Sequence, residues 1–357
     1  EAKALEPAAV GEMFGEIVRQ QLISDVPVVV FLSGGVDSSV VAAAARRASP
    51  DVHTMAVVFE ESRYSEREYA RRVARRLGTK HHEALLEGGA VLEKAVEAIS
   101  RMDQPTVDGI NTYVVSEAAR REGFTVALSG LGGDEFFGGY ATFRRTPMLA
   151  RIARWAQRAP ALASLAGRQL GWRKLGQWLQ NGNYWEHPYF LQRTLFFPRQ
   201  VEALCRAGEL SAEADRLGEA RRQTVMEEAQ GLDPLNQVSL LEARCYMGNM
   251  LLRDSDQMSM AHSLELRVPF VDHLLAARLL ATPGEQKGFR RAGKPWLKAA
   301  FGAQLPREVF ERRKMGFTLP FAVWLKGPLA AEVERVLRRN PGGLWDPGAA
   351  GQVWEQF

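Results

Sequence analysis

No apolar run in this chain is long enough to cross a bilayer as a helix, and no secretory leader opens it. A membrane partner is therefore not expected. Cysteine is nearly absent. The two present, Cys205 and Cys245, stand in no metal-binding or redox spacing, which rules out a disulfide framework and points to a reduced, cytoplasmic protein with inert thiols. Neither sign of charge dominates: 46 Lys and Arg face 42 Asp and Glu, for a net charge of +4. The basic residues are also dispersed. Arg67, Arg71, Arg72, Arg75 and Arg76 share a helical pattern with Glu66 and Glu68, which predicts a solvated helix face and no nucleic-acid partner. Internal repeats and low-complexity linkers are missing as well.

What is present has the apolar content of an ordinary globular protein, in a chain too long for one simple core. Apolar positions at helical spacing over residues 4–22 predict a first helix. Continuous apolar runs at 26–32, 53–59 and 124–128, with a weaker one at 80–85, read as strands buried on both faces. Between them, residues 40–48, 65–77, 88–101 and 112–122 read as helices. The third strand is preceded by a capping-box pattern at Ser65 to Glu68 and a stop at Gly78. Strands alternating with helices predict an α/β fold with a doubly wound parallel sheet over residues 1–145. Residues 146–357 show little convincing strand and are expected to form a large all-helical portion packed on the sheet. Trp155, Trp172, Trp178, Trp185, Phe190, Phe196 and Phe197 make its first part aromatic-rich, as a helical core requires.

Two glycine-rich loops follow strand-like runs. The first is Ser33-Gly34-Gly35-Val36-Asp37-Ser38-Ser39. Gly34 and Gly35 allow backbone N–H groups to approach an anion, and Ser38 and Ser39 open the next helix, whose N-terminus favours negative charge. It is not a Walker A loop, because the lysine after the last glycine is missing. Asp37 would repel phosphate unless a Mg2+ ion stands between them. The second loop, Ser129-Gly130-Leu131-Gly132-Gly133-Asp134-Glu135, runs on to Gly138-Gly139-Tyr140 and ends in a second aspartate. In parallel sheets ligands bind beyond the carboxyl ends of the strands, where both loops lie. Together they read as two walls of a site for ATP and its metal.

The first string resembles that of the PP-loop ATP pyrophosphatases, which cleave between the α- and β-phosphates and adenylate a substrate. The second narrows the likeness to the synthetase domain of the asparagine synthetase family. Three further segments agree with it: residues 252–272, the run Gly293-Lys294-Pro295-Trp296-Leu297-Lys298, and the run Arg313-Lys314-Met315-Gly316-Phe317. The resemblance implies an ATP-dependent amide ligase that adenylates aspartate or a related acid, transfers ammonia to it, and releases AMP and pyrophosphate. It implies that Asp37 and Asp134 hold Mg2+, that Ser33, Gly34, Gly35, Ser38 and Ser39 cradle phosphates, and that Val57 and Phe59 flank adenine. Gly130 would contact the nucleotide through its backbone, Lys294 would neutralise pyrophosphate, and Lys314 would stabilise charge as the acyl-adenylate forms and collapses. In residues 254–272, Glu265 and Arg267 are expected to form a buried pair that fixes a helix onto the sheet portion, with Arg253, Asp256 and Ser259 as candidates for the acceptor pocket. A tRNA-modifying PP-loop enzyme and a non-catalytic descendant are the alternatives.

Two departures limit what the resemblance implies. Family members that make asparagine carry a glutamate at the position of Leu131, and leucine cannot move a proton. The acceptor acid is therefore open, and paralogues that amidate or ring-close other acids are an alternative. In the region expected to build the acceptor pocket, Asp108 and Asn111 are the candidates to read a polar substrate, with helix capping the competing role for Asn111. The family's glutaminase domain, with its N-terminal cysteine, has no counterpart here, because the chain begins at Glu1. Ammonia would come from a domain or subunit outside this chain, from solution, or from an amine on the substrate itself. The start at Glu1 and the amphipathic stretch at the other end lead us to expect a processed chain or a piece of a longer one.

Overall fold

The computed structural model describes residues 3–59, 66–86, 88–106, 108–169, 175, 178–179, 187–196, 198–205, 208–289, 291, 293–312 and 321–356. Lys314 and its motif, Ser65 of the expected capping box, Trp172, Trp185, Phe197 and the Phe59 side chain lie outside the described residues.

The apolar runs at 26–32, 53–59 and 124–128 become strands covered on both faces, whereas the weaker run at 80–85 forms an edge strand with no buried side chain among its described residues. Strands β1 (Val28–Phe31), β2 (His53–Phe59), β3 (Lys80–Leu86) and β4 (Val126–Leu128) are joined by β5 (Glu265–Arg267) in a parallel sheet of order β3-β2-β1-β4-β5. On one face, Val30 and Leu32 pack with Phe14 and Val18 of helix α1 (Val10–Gln21) and with Val40 and Val41 of α2 (Val36–Ala48). The other face gathers Val29, Met55 and Ala127 with Ala118, Ala119 and Phe124. Consecutive valines thus serve opposite layers, and each buried one contributes roughly 1.5–3 kcal/mol.

Helices α3 (Arg67–Leu77), α4 (Gly88–Arg101) and α5 (Gly109–Arg121) follow in order, and α3 stops at Gly78 in the left-handed region, as its sequence predicts. Its N-cap position is Glu66, which makes no cap hydrogen bond. Three local expectations are corrected. Helix α2 begins at Val36 and not at 40, because its first turn carries Asp37, Ser38 and Ser39, polar residues that apolar periodicity does not register. Asn111 lies inside α5, whose N-cap position is Asp108, so it does not cap. Residues 265–267 form an edge strand on β4 in a region read as helical. With one apolar residue, Leu266, between two charged ones, this strand shows no apolar alternation to find. The Glu265–Arg267 pair exists at 2.7 Å, but the Glu265 side chain is 58% exposed. Arg267 Nη1 also donates to the carbonyls of Gln21, the last residue of α1, and Ile23 just beyond it.

The backbone divides into two compact units, Glu1–Arg144 with Gly231–Leu319, and Arg145–Gln230 with Pro320–Phe357. The first contains the sheet. The second is largely helical among its described residues, and Trp178 packs there with Leu149, Ala163, Leu179 and Leu191. No helix among the described residues is long and apolar enough to cross a membrane.

One buried cation in the first unit has a measurable consequence. Lys287 is 2% exposed, donates to Asn236 Oδ1 and the Leu279 carbonyl, and lies over the Phe289 ring. Burial lowers its pKa to about 7, against an opposing pull from Asp233. The unfolded chain holds this proton up to the ordinary lysine range, whereas the folded chain has already released it. Stability is therefore expected to rise as pH rises from about 7 towards 10.5, by up to about 5 kcal/mol from this group. Lys287→Met should flatten that rise in denaturant unfolding series. An unchanged slope would show that Lys287 keeps its proton in the fold.

Candidate functional site

Strands β1 and β4 are neighbours in register, Val28 beside Val126 and Val30 beside Leu128, and both glycine loops leave from their carboxyl ends. From β1 the chain winds outwards to β2 and β3, whereas β4 and β5 lie on its other side, so the loops flank the point where the strand order reverses. That is where doubly wound sheets place ligands.

The first loop is held by its own serines. Ser33 N–H donates to Ser38 Oγ, Gly35 N–H donates to Ser33 Oγ, and Ser38 Oγ donates to the Gly35 carbonyl. The second loop lies directly against it: a Cβ on Gly130 would stand 2.8 Å from the backbone nitrogen of Ser38. Only glycine permits that approach. Asp37 is carried by the first turn of α2, and Asp134 by the first turn of α6 (Gly133–Phe137).

Both carboxylates converge on Lys294. Its Nζ lies 2.5 and 2.6 Å from the two oxygens of Asp37 and 2.6 Å from Asp134 Oδ1. Lys294 is 5% exposed and holds a φ of +51° just before the helix Pro295–Phe301. A left-handed non-glycine residue of this kind costs of order 1–3 kcal/mol, and such strain clusters at functional sites. Burial alone would depress its pKa, but Asp134 and Asp37 outweigh burial and hold the ammonium above the ordinary lysine value.

A cavity of about 970 Å3 opens over these groups. Ser33, Gly35, Asp37, Ser38, Val57, Gly130, Asp134 and Lys294 line it, so these sequence-predicted residues share one cavity. Phe31, Met55 and Ala56 extend the apolar wall around Val57. Gly34 and Ser39 are not on the wall. Gly34, at φ +73°, lets the loop pass α3, where a Cβ would stand 2.7 Å from that of Tyr69. Ser39 is fully buried, and its Oγ has no hydrogen-bond partner. The Ser39 hydroxyl therefore does not face the cavity.

The far wall carries acceptor candidates. Asp108 and Asn111 line the cavity, and Tyr246 OH donates to Asp108 Oδ2 at 3.0 Å. Tyr246 and Leu251 come from a π-helical stretch, Glu242–Leu251, which leads into the helix Leu252–Met260 and its cavity residues Asp254 and Ser255. Asp254 is 3% exposed and accepts a hydrogen bond from Thr106 Oγ1. Its carboxyl is raised, first by burial and then by Asp108 and Asp103, against hydrogen bonds from Thr106 and Gln104. Arg253, Asp256 and Ser259 are not on this wall; Arg253 pairs instead with Asp103 at 2.7 Å, on the surface. Leu131 lines the cavity where the resemblance leads one to look for a proton acceptor.

Sequence reasoning missed Glu135, Tyr140, Tyr246, Asp254, Glu66 and Arg312 as wall residues. For Glu135 the signal was adjacency to Asp134. It is 1% exposed, accepts from Tyr140 OH at 2.8 Å, and its pKa is raised to about 7 by burial and then by Asp134.

The donor set suits Mg2+. Among the described residues, no group of three or more His, Cys, Asp or Glu forms a metal cage. Two carboxylates converging on a point that already attracts a cation match the way Mg2+ binds jointly with substrate phosphates. The space they occupy depends on glycine: a Cβ on Gly133 would stand 2.3 Å from Asp37 Oδ1, and one on Gly139 1.7 Å from Asp134 Oδ1. Among the described residues, seven carboxylates and four cationic side chains line the cavity, an excess of negative charge that a bound cation would offset for a polyphosphate.

A profile of the asparagine synthase family matches residues 9–356. Among individual relatives, asparagine synthetase (glutamine-hydrolyzing) 1 of Bacillus subtilis is 28% identical over 327 residues, covering 90% of this chain and 51% of that protein. Asparagine synthetase (glutamine-hydrolyzing) 3 of the same organism is 27% identical over 323 residues, covering 86% of this chain and 47% of that protein. A protein named Amidase chry2, from Gibberella zeae, is 26% identical over 372 residues and covers 92% and 54%. The chain spans about half the length of the curated relatives it matches. With the match running over almost its whole length, the chain belongs to the asparagine synthase family.

Proposed function

We propose that this chain is an ATP-dependent carbon–nitrogen ligase that adenylates a carboxylate and passes the acyl group to ammonia or an amine, releasing AMP and pyrophosphate. The observation that carries this reading is the convergence of Asp37 and Asp134, from loops on adjacent parallel strands, on the buried Lys294 ammonium. Family membership supports it. Residues Phe31, Met55, Ala56 and Val57 would receive the base, and the first loop and the α2 N-terminus the phosphates. Asp37 and Asp134 would hold Mg2+, which supplies charge neutralisation on the leaving pyrophosphate. Lys294 adds a fixed cation in a site shielded from water, where it acts strongly on developing charge. Lys314 belongs to this reading through the resemblance.

Leu131 favours a second version of the same chemistry, in which the acid is not aspartate. No side chain at 131 can accept a proton from the incoming nitrogen, and the acceptor wall presents Asp108, Asn111 and Asp254 instead. The nitrogen source belongs to the proposal too: a glutaminase domain or subunit outside this chain, free ammonia, or a substrate amine. The reaction would run in the cytoplasm, where ATP and Mg2+ are supplied. Incubation with ATP, Mg2+, ammonium and a panel of amino and hydroxy acids tests the reading. AMP and an amide should accumulate together with one of the acids, and neither should form when Mg2+ is withheld. Turnover to ADP and phosphate, or amide formation without Mg2+, would refute it.

A further inference from the structure

The cavity wall contains a second buried cation that differs from Lys294 in one respect: part of it is unmatched. Arg312 follows the short helix Glu308–Glu311 in extended conformation and sends its guanidinium under α3. Nη2 meets Glu66 Oε1 at 2.5 Å, and the guanidinium carbon lies 4.3 Å from the centroid of the Tyr69 ring. Its side chain is 11% exposed, and that of Glu66 9%. Nη1 is buried and has no hydrogen-bond partner among the described residues. A buried N–H group left without an acceptor is costly and rare, and the cost is highest on a charged group. The same guanidinium stands at the phosphate loop: a Cβ on Gly35 would lie 3.9 Å from Nη2.

We propose that Arg312 is a phosphate-binding residue of the nucleotide site, whose free Nη1 edge takes an oxygen of the β- or γ-phosphate. This rests on the reading that the cavity receives Mg·ATP. Glu66 fixes one edge of the guanidinium and Tyr69 fixes its plane, so the remaining edge is oriented before the ligand arrives, with little entropy left to lose. Lys294 is held by two carboxylates and Arg312 by one, which leaves Arg312 the freer of the two to answer a phosphate. Arginine supplies the planar fork that phosphate oxygens match, and lysine does not.

Calorimetric titration of wild type, Arg312→Met and Arg312→Lys with Mg·ATP, Mg·pyrophosphate and AMP tests this. Arg312→Met is expected to weaken Mg·ATP and Mg·pyrophosphate about tenfold to a hundredfold and AMP less than twofold, with Arg312→Lys recovering only part of the loss. Because methionine strands the buried Glu66 carboxylate, the double variant E66Q/R312M, which removes both charges, carries the comparison if the single variant does not fold. Wild-type affinity for Mg·ATP in the variants would overturn the role of Arg312 alone. An equal loss for all three ligands would also overturn it, by showing a scaffold residue. Failure of wild type to bind Mg·ATP would overturn the nucleotide reading itself and this proposal with it.

Discussion

Replacing Lys294 by methionine is expected to lower the rate of AMP formation by about 10²- to 10³-fold, the usual effect of removing one fixed electrostatic group aimed at developing charge. The same change should destabilise the metal-free protein by roughly 3–5 kcal/mol, because it leaves Asp37 and Asp134 facing each other with the shared counter-ion gone. For a unit of this size, that is a fall in Tm of roughly 6–20 °C. A rescue distinguishes this account from simple damage to the core. If the two carboxylates form a Mg2+ site, millimolar Mg2+ should restore much of the lost Tm in the variant and move wild type much less, since wild type already has a cation in place. A variant with normal Tm and activity would mean that the ammonium does not join the two loops. A variant damaged equally with and without Mg2+ would mean that the carboxylates do not take the ion.

The second large effect is expected from adding one methyl group. Gly139→Ala would put a Cβ 1.7 Å from Asp134 Oδ1 and 2.5 Å from its Cγ. The carboxylate is the flexible partner, so it is the group that moves. A displacement of about 1 Å at a reacting centre can cost on the order of a hundredfold in rate. Gly139→Ala should therefore lower turnover by about that factor and, because the displaced carboxylate is also a partner of buried Lys294, lower Tm by less than Lys294→Met does; Gly133→Ala should act in the same way through Asp37. Gly15→Ala is the control. Nothing lies within 4 Å of its added methyl group, and in mid-helix it should raise stability by about 0.5–1 kcal/mol without touching turnover. If Gly139→Ala turns over like wild type, Asp134 does not need its present position, and the two-aspartate site is wrong.

The sheet was readable because strands covered on both faces must be apolar throughout, as Val28–Phe31 and Val126–Leu128 are. The two aspartates were readable because they end glycine loops that directly follow such strands. Lys294 was found only through the likeness to a family, since a lysine between Gly293 and Pro295 carries no signal of burial by itself. Arg312 escaped altogether. It stands in the charged run Glu311-Arg312-Arg313-Lys314, which reads as surface, and its burial follows from a meeting with Glu66 and Tyr69 from a distant segment. The same holds for β5, whose three residues pair with β4 over more than a hundred positions of chain. Gly34 and Ser39 stand off the cavity wall although they belong to the same string: a motif states which residues occur together, but not which of them line the cavity and which shape the turn. What was lost in each case is tertiary and not local.

The most direct measurement follows the oxygen atoms. With an acceptor acid carrying 18O in its carboxylate, activation through an acyl-adenylate must leave one labelled oxygen in AMP once nitrogen displaces the adenylate, and none in pyrophosphate. Mass spectrometry of the nucleotide after turnover is predicted to show AMP heavier by one 18O. Unlabelled AMP, or label appearing in inorganic phosphate beside ADP, would contradict carboxylate adenylation as the chemistry of this site.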